Sequence, residues 1–250
     1  MFGFFKKKEK KEVGEIEFDY SEIVVDMHSH VLPGIDDGAE TVEDSIVLIR
    51  KMMELGIKKI IATPHVMIDY YRNTPESVNG ALNLLKEKLK QEQISIDVFA
   101  AAEHYFDESF EDRIANRQFL TMGDDYVLFE LSFANKPPNV IEIIQKMTVA
   151  GYKPILAHPE RYSYLSIEEA ANIREWGCLL QLNTISLTGY YGAHIKQAAE
   201  KLIDAGLVDL ISSDMHHPRH AHAFEKALRE PYFKKLVKSG VLKNKTLFEL

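Results

Sequence analysis

"DMHSHVLPGIDDGAE" (residues 26–40) sets two histidines one residue apart, then two adjacent aspartates six residues on. It closes the β-branched run "EIVV", so imidazoles and carboxylates gather where a buried strand ends. The same arrangement recurs along the chain. Short, nearly continuous apolar runs, the pattern of buried parallel strands, stand at "EIVVDMHSH", "KKIIATPH", "IDVFAAAEH", "YVLFELSF", "KPILAHPE", "CLLQLNT" and "VDLISSDMH". Their ends carry, in order, His28 and His30, His65, Glu103, Glu130, His158, Asn183, and Asp214 with His216. Only the sixth lacks a strong metal ligand.

Amphipathic helical patterns lie between these runs. In the first, Ile46, Ile49, Met52 and Met53 share a face, with Thr41 to cap the start and Gly56 to end it. In the second, Thr74 and Pro75 precede Val78, Leu82, Leu85 and Leu89 on one side. "IEEAANIREWG" and "AHIKQAAEKLIDAG" repeat the theme. Alternating strand and helix implies an α/β fold with a parallel sheet, and seven strands in 250 residues predict a TIM-barrel-like (β/α) barrel. In a barrel or an open parallel sheet, the active site lies at the C-terminal strand ends. Closure brings all these side chains to one rim, as a cup of imidazoles and carboxylates.

With 46% hydrophobic residues the chain can bury a sizeable core, and no linker or repeat divides it. One domain over residues 21–250 is expected, behind a flexible basic tail of residues 1–20. In the tail, "MFGFFKKKEKKE" puts apolar residues before lysines, the reverse of a secretory signal. A solvated tail is expected; the alternative is weak contact with an anionic membrane surface through Phe2, Phe4, Phe5 and the lysines. A net charge of −8 argues against a nucleic-acid partner, and the single cysteine, Cys178, points to a reducing, cytoplasmic setting. The first helix, behind "GAETVED", offers a face for oligomer contacts.

A lone histidine after a strand is ordinarily a satisfied core or loop residue, and a lone Glu130 an ion-pair partner. Eight ligand-type residues at six of seven strand ends are not explained by packing, because buried charges are costly without partners. With Asp37 there are nine candidates, enough for two or three ions. The nitrogen and oxygen donors suit Mn²⁺, Fe²⁺ or Zn²⁺. Metal-activated water and neutralisation of an anion together favour phosphate-ester hydrolysis. "HPERY" adds Arg161 to hold phosphate oxygens, and "DMHHPRHAH" offers Arg219 as a second candidate. His217, His220 and His222 are expected at the mouth of the site, and "MIDYYRN" and "NTISLTGYYG" at its aromatic walls. Rival chemistries lack their motifs: Thr184 stands where a C-x5-R phosphatase needs arginine, and no G-x-x-x-x-G-K-[ST] or G-x-S-x-G occurs.

Over residues 24 to 225 the motifs "DMHSHVLPGIDDGA", "ATPH", "AHPERY" and "SDMH" resemble the PHP (polymerase and histidinol phosphatase) superfamily. More narrowly, they resemble its bacterial metal-dependent protein-tyrosine phosphatases, which are encoded with capsule and exopolysaccharide genes and act on a partner tyrosine kinase. The resemblance implies a distorted seven-stranded barrel and three metal ions, commonly Mn²⁺. Carried over by motif, His28, His30 and Asp214 would hold one ion, with Glu103 bridging to a second completed by Glu130 and His158. Asp37, His65 and His216 would hold the third, and Arg161 would grip the phosphate. Two motifs depart from the family pattern: "AAEHYFDESF" lacks the usual Gly-Gln pair before the bridging glutamate, and Arg219 comes early after "SDMH". The alternatives are a phosphatase of a small metabolite, a nuclease, and a non-catalytic scaffold that binds the kinase.

Overall fold

The computed structural model describes residues 16–248. The sequence runs become strands β1 (Val25–Asp26), β2 (Lys59–Ala62), β3 (His65–Val66), β4 (Asp97–Ala100), β5 (Glu103–Tyr105), β6 (Tyr126–Glu130), β7 (Lys153–Ala157), β8 (Leu179–Asn183) and β9 (Leu210–Ser212). Every pairing between them is parallel, in the orders β1-β2-β4 and β3-β5-β6-β7-β8-β9.

Seven runs yield nine strands because the second and third each break once. Pro64 has no N–H to give the ladder, so β2 stops before it and β3 resumes after it. Ala101 N–H donates to the Ala62 carbonyl at 2.9 Å and Glu103 N–H to that of Pro64 at 3.0 Å, which keeps the two runs in register across the break. The first run is also shorter than its apolar pattern suggests. Residues Tyr20–Glu22 form a 3-10 turn, and Val24 has a left-handed φ of 63°, leaving two residues of regular strand.

The last run meets the first. Ser29 and Met215 form a parallel bridge, His30 N–H donates to the Met215 carbonyl at 2.8 Å, and Asp214 N–H donates to that of His28 at 2.9 Å. Lower down, buried Asn244 fills the seam. Its Nδ2 donates to the Val25 and Ile211 carbonyls at 3.1 and 2.7 Å, and its Oδ1 accepts from Ile211 N–H at 3.1 Å. A side-chain amide thus replaces missing ladder bonds between the first and last runs of the distorted barrel.

Helices α1 (Val42–Glu54), α2 (Pro75–Gln91), α3 (Phe110–Ala115), α4 (Val140–Val149), α5 (Ile167–Glu175), α6 (Ala193–Asp204), α7 (Pro218–Ala227), α8 (Pro231–Ser239) and α9 (Asn244–Phe248) connect or follow the strands. Thr41 and Thr74 cap α1 and α2 through capping boxes, and Val78, Leu82, Leu85 and Leu89 form the buried face of α2. Gly56 is required where α1 turns back: its φ is 109°, and a Cβ there would lie 2.6 Å from Ser21 N. The main core lies between strands and helices, while a smaller one of Val25, Met27, Ile61, Leu128, Ile155, Leu210 and Phe248 fills the barrel below the site.

The expected tail boundary at residue 20 moves. Tyr20 is fully buried, stacks on Phe224 at 3.7 Å and donates its hydroxyl to the Phe224 carbonyl at 2.7 Å. Glu17 pairs with Lys234 and Lys238. Packing against α7 and α8 therefore begins ahead of residue 21. The membrane-contact reading of Phe2, Phe4 and Phe5 lies outside the described residues. Among those described, no helix is long and apolar enough to cross a membrane.

Candidate metal centre

All nine candidate ligand residues, eight from the strand ends and Asp37 from the loop after the first, converge. His28, His30, Asp37, His65, Glu103, Glu130, His158, Asp214 and His216 each fall in at least one group whose ligand atoms lie within 4.8 Å of one another. Asp37, His65 and His216 form one such group together with His30. The other groups divide differently from the expected sets. Glu103 joins His28 with His30 in one and His65 with Glu130 in another, while Asp214 groups with His28 and His158.

Backbone geometry explains how this occurs at strand ends. Ile155 and Ala157 of β7 both face the inner core, so alternation alone would turn His158 outward. His158 instead adopts a left-handed φ of 33°, and its imidazole Nε2 comes to 3.0 Å from Glu103 Oε1. Asp214 is also left-handed, at φ 49°. Such conformations in non-glycine residues cost about 1–3 kcal/mol each and concentrate at functional sites. His28 and His30 stand two positions apart just past the end of regular β1 at Asp26, and their Nε2 atoms meet at 3.3 Å.

The donor set fits divalent ions. Glu103 Oε2 sits 3.2 Å from His28 Nε2, 3.4 Å from His30 Nε2 and 3.1 Å from His65 Nδ1, yet it makes no well-directed hydrogen bond and is fully buried. Its other oxygen faces His158, so this carboxylate stands between two sets of nitrogens. The outer imidazole nitrogens are already committed. His28 Nδ1–H donates to Gln181 Oε1 at 2.9 Å, His30 Nδ1–H to Asp36 Oδ2 at 2.8 Å, and His216 Nδ1–H to the Asp214 carbonyl at 2.9 Å. Each bond puts the proton on Nδ1 and leaves the Nε2 lone pair facing the cluster, the arrangement metal-binding histidines use.

Without a cation the cup draws protons. Burial pulls His30 down, but the charge and hydrogen bond of Asp36, together with Glu103, outweigh it and raise the imidazole to about 10. Burial likewise opposes protonation of His28 and His65; Glu103 with Asp214 in the first case, and Glu103 with Glu130 in the second, raise both. Burial would raise Glu103 and Asp214, yet nearby imidazoles hold both well below the carboxylate range. His216 goes the other way, to about 3, through burial and the charge of His30.

Strand β8, whose sequence run lacked a ligand, supplies the support. Gln181 Nε2 donates to Asn183 Oδ1 at 3.0 Å, and Asn183 Nδ2 donates to Asp214 Oδ2 at 2.6 Å, which turns Asp214 Oδ1 toward His28 and His30 at 3.4 and 3.5 Å. Sequence reasoning missed Gln181, Asn183 and Asp36. Their alternate spacing on an apolar strand, and the doubled aspartate of "IDDG", were the available signals.

Arg161 reaches the same place from the turn after His158. Its Nη1 donates to Asp214 Oδ2 at 3.2 Å, and its guanidinium lies between the rings of Phe133 and Tyr191, 4.4 and 4.5 Å from their centroids. An open cleft of about 510 Å³ is lined by Arg161, Glu103, His65, Asp214 and His216, with Tyr70, Tyr71, Phe133 and Tyr191 as aromatic walls. Of the three expected mouth residues, His217 and His220 also line it, whereas His222 is exposed and does not. Arg219 does not: it is exposed on the first turn of α7 and absent from the cleft lining. A residue at the second helical position after Pro218 points away when its neighbour His220 packs inward. Cys178 is buried, and burial pushes its thiol far up, which rules it out as a nucleophile.

The family model described as "Capsular polysaccharide synthesis, CpsB/CapC" matches residues 24–240. The chain belongs to the CpsB/CapC family. It is 33% identical over 197 residues to the tyrosine-protein phosphatase YwqE of Bacillus subtilis (strain 168), covering 78% of each chain. It is 28% identical over 196 residues to the putative tyrosine-protein phosphatase CapC of Staphylococcus aureus, covering 77% of each. Among solved structures it is similar to one described as "YwqE from Bacillus subtilis and CpsB from Streptococcus pneumoniae, unique metal-dependent tyrosine phosphatases". That likeness has a TM-score of 0.80 at 30% identity, over 90% of this chain and 94% of that one. A Mycoplasma synoviae amidohydrolase (TM-score 0.56, 12% identity, 93% and 87% covered) shares the fold alone. This CpsB/CapC chain thus has the TIM-barrel-like architecture of its relatives.

Proposed function

We propose that this CpsB/CapC chain is a metal-dependent protein-tyrosine phosphatase acting on a tyrosine-phosphorylated protein, a bacterial tyrosine kinase of capsule or exopolysaccharide synthesis. The observation that carries this reading is Arg161, held on Asp214 at the lip of a nine-ligand cup and facing an open, aromatic-walled cleft. His28, His30, Asp214 and Glu103 would hold one ion; Glu103, Glu130 and His158 a second; Asp37, His65 and His216 a third. Mn²⁺ suits these hard oxygen and imidazole donors. Bound ions supply Lewis acidity, activating water and neutralising phosphate charge.

The chain's own groups do the rest. Arg161 offers its free N–H fork to the phosphate oxygens and keeps its plane because two rings clamp it. Tyr70, Tyr71 and Phe133 offer surfaces for the phenyl ring. A phenolate with a pKa of about 10 departs with little acid assistance, so His217 and His220 need not donate a proton. Tyr70 and Phe133 are 78% and 44% exposed at the mouth, which favours a polypeptide substrate over an enclosed metabolite. We place the protein in the cytoplasm, where a kinase tail would be available.

The test is hydrolysis of a phosphotyrosine peptide, a phosphoserine peptide and small phosphate esters by metal-stripped protein with Mn²⁺ restored. Mn²⁺-dependent turnover favouring the tyrosine peptide is expected. Turnover of small esters alone would move the function to metabolism, and no turnover with any divalent metal would leave a binding scaffold.

A further inference from the structure

A second cleft, of about 710 Å³, adjoins the first and shares Met67, Tyr70 and Tyr105 with it. Its size is within the roughly 300–1,000 Å³ range of ligand pockets. Its charge is one-sided: every ionisable lining residue apart from tyrosines is an aspartate or glutamate. Two of these are internally engaged. Asp107 holds Arg113 at 2.8 Å, and Glu111 holds Lys146 at 2.7 Å. Asp69 and Glu108 are exposed and, among the described residues, have no ion-pair partner.

The floor is built to last. Ile68 N–H donates to Asp107 Oδ2 at 3.2 Å, Arg113 Nη2 to the Tyr105 carbonyl at 2.9 Å, and Met67 N–H to the Tyr71 carbonyl at 2.9 Å. The first ties the loop after β3 to the chain just past β5, and the other two brace each segment beside the catalytic cleft. The catalytic cleft takes an anion against Arg161; the annex would repel one. A substrate lying across both must therefore be negative at one point and positive a few residues away.

We propose that the annex is the subsite for the polypeptide on one side of the phosphotyrosine, and that Asp69 and Glu108 select lysine or arginine there. The inference rests on the phosphatase reading and deepens it. Tyr70, between the two clefts, packs the connecting residues.

The experiment uses the full chain loaded with Mn²⁺. Phosphotyrosine peptides carry two lysines on the N-terminal side or on the C-terminal side, each paired with a glutamate counterpart, and free phosphotyrosine is the control. Lysine on one side alone is expected to raise kcat/KM roughly 3- to 30-fold over glutamate, less at 0.5 M salt, about the scale of a few partly exposed charge pairs. The double variant Asp69→Asn/Glu108→Gln is expected to bring that ratio close to one while leaving free phosphotyrosine turnover unchanged. Free phosphotyrosine turned over, with no charge preference or with one that survives the double variant, overturns the annex alone. No turnover of any phosphotyrosine substrate, free or peptide, overturns the phosphatase reading and the annex with it.

Discussion

Metal loading of the cup should release protons. In the metal-free protein His28, His30 and His65 are raised above the ordinary imidazole value, His30 to about 10. A raised imidazole stabilises the fold fully below its unfolded value near 6.5, and that contribution is lost as pH rises through its folded value. At neutral pH the His30 ring, raised to about 10, therefore keeps its proton, and a metal must expel it to reach the nitrogen. For His30 at pH 7 the gap to about 10 is about 3 units. At 1.36 kcal/mol per unit that is about 4 kcal/mol, or roughly 1,000-fold in affinity. Calorimetric titration of Mn²⁺ in buffers of different ionisation enthalpy reads the proton count directly, and release of at least the His30 proton is expected at pH 7. Apparent affinity should climb with pH from 6 to 8. Asp36→Asn removes the carboxylate that holds the His30 proton, so about one fewer proton should leave. A buffer-independent enthalpy would refute the argument, since the imidazoles would then already be neutral.

Arg161→Ala should lower kcat/KM for a phosphotyrosine peptide by roughly 100- to 1,000-fold, with Arg161→Lys recovering little, because an ammonium lacks both the fork and the flat faces between Phe133 and Tyr191; steady-state kinetics with circular dichroism as a fold control decides it. Tyr20→Phe should cost about 1–2 kcal/mol in urea unfolding by stranding the Phe224 carbonyl, and Tyr20→Ala about 3–5 by emptying its stacked site; near-zero values would return residue 20 to the tail. Burial would raise Asp209, but its bonds to Arg174 and Lys243 hold it below the usual carboxylate value. Its contribution is thus present above pH of about 4 and lost as pH falls through the folded value, so Asp209→Asn should flatten the acid limb of stability below about pH 4, measured by urea midpoints.

The convergence of these side chains was legible because donor-type residues at the ends of apolar runs have no packing explanation. His65, Glu103, Glu130 and His158 all emerge in the cup from runs of that kind. The breaks at Pro64 and at Ala101 were less so: a run reads as continuous when only its apolar character is followed, although Pro64 itself marks one interruption. Tyr20 was misplaced because it lies among polar residues, and its partner Phe224 is more than two hundred positions away. Arg219 resembled a phosphate ligand by residue type and motif, but the helical turn that packs His220 inward leaves it outside the cleft.

By itself the sequence determined the alternation of strand and helix, the parallel barrel class and the nine donors, because hydrophobic period and donor chemistry are local properties of the chain. Only the tertiary structure decided the rest. It filled the seam with Asn244, turned His158 and Asp214 through left-handed backbone, and enlisted Gln181, Asn183 and Asp36 to set which nitrogen faces inward. Those outcomes depend on groups distant in sequence meeting at hydrogen-bond range, and on bonds whose direction follows from how the barrel closes.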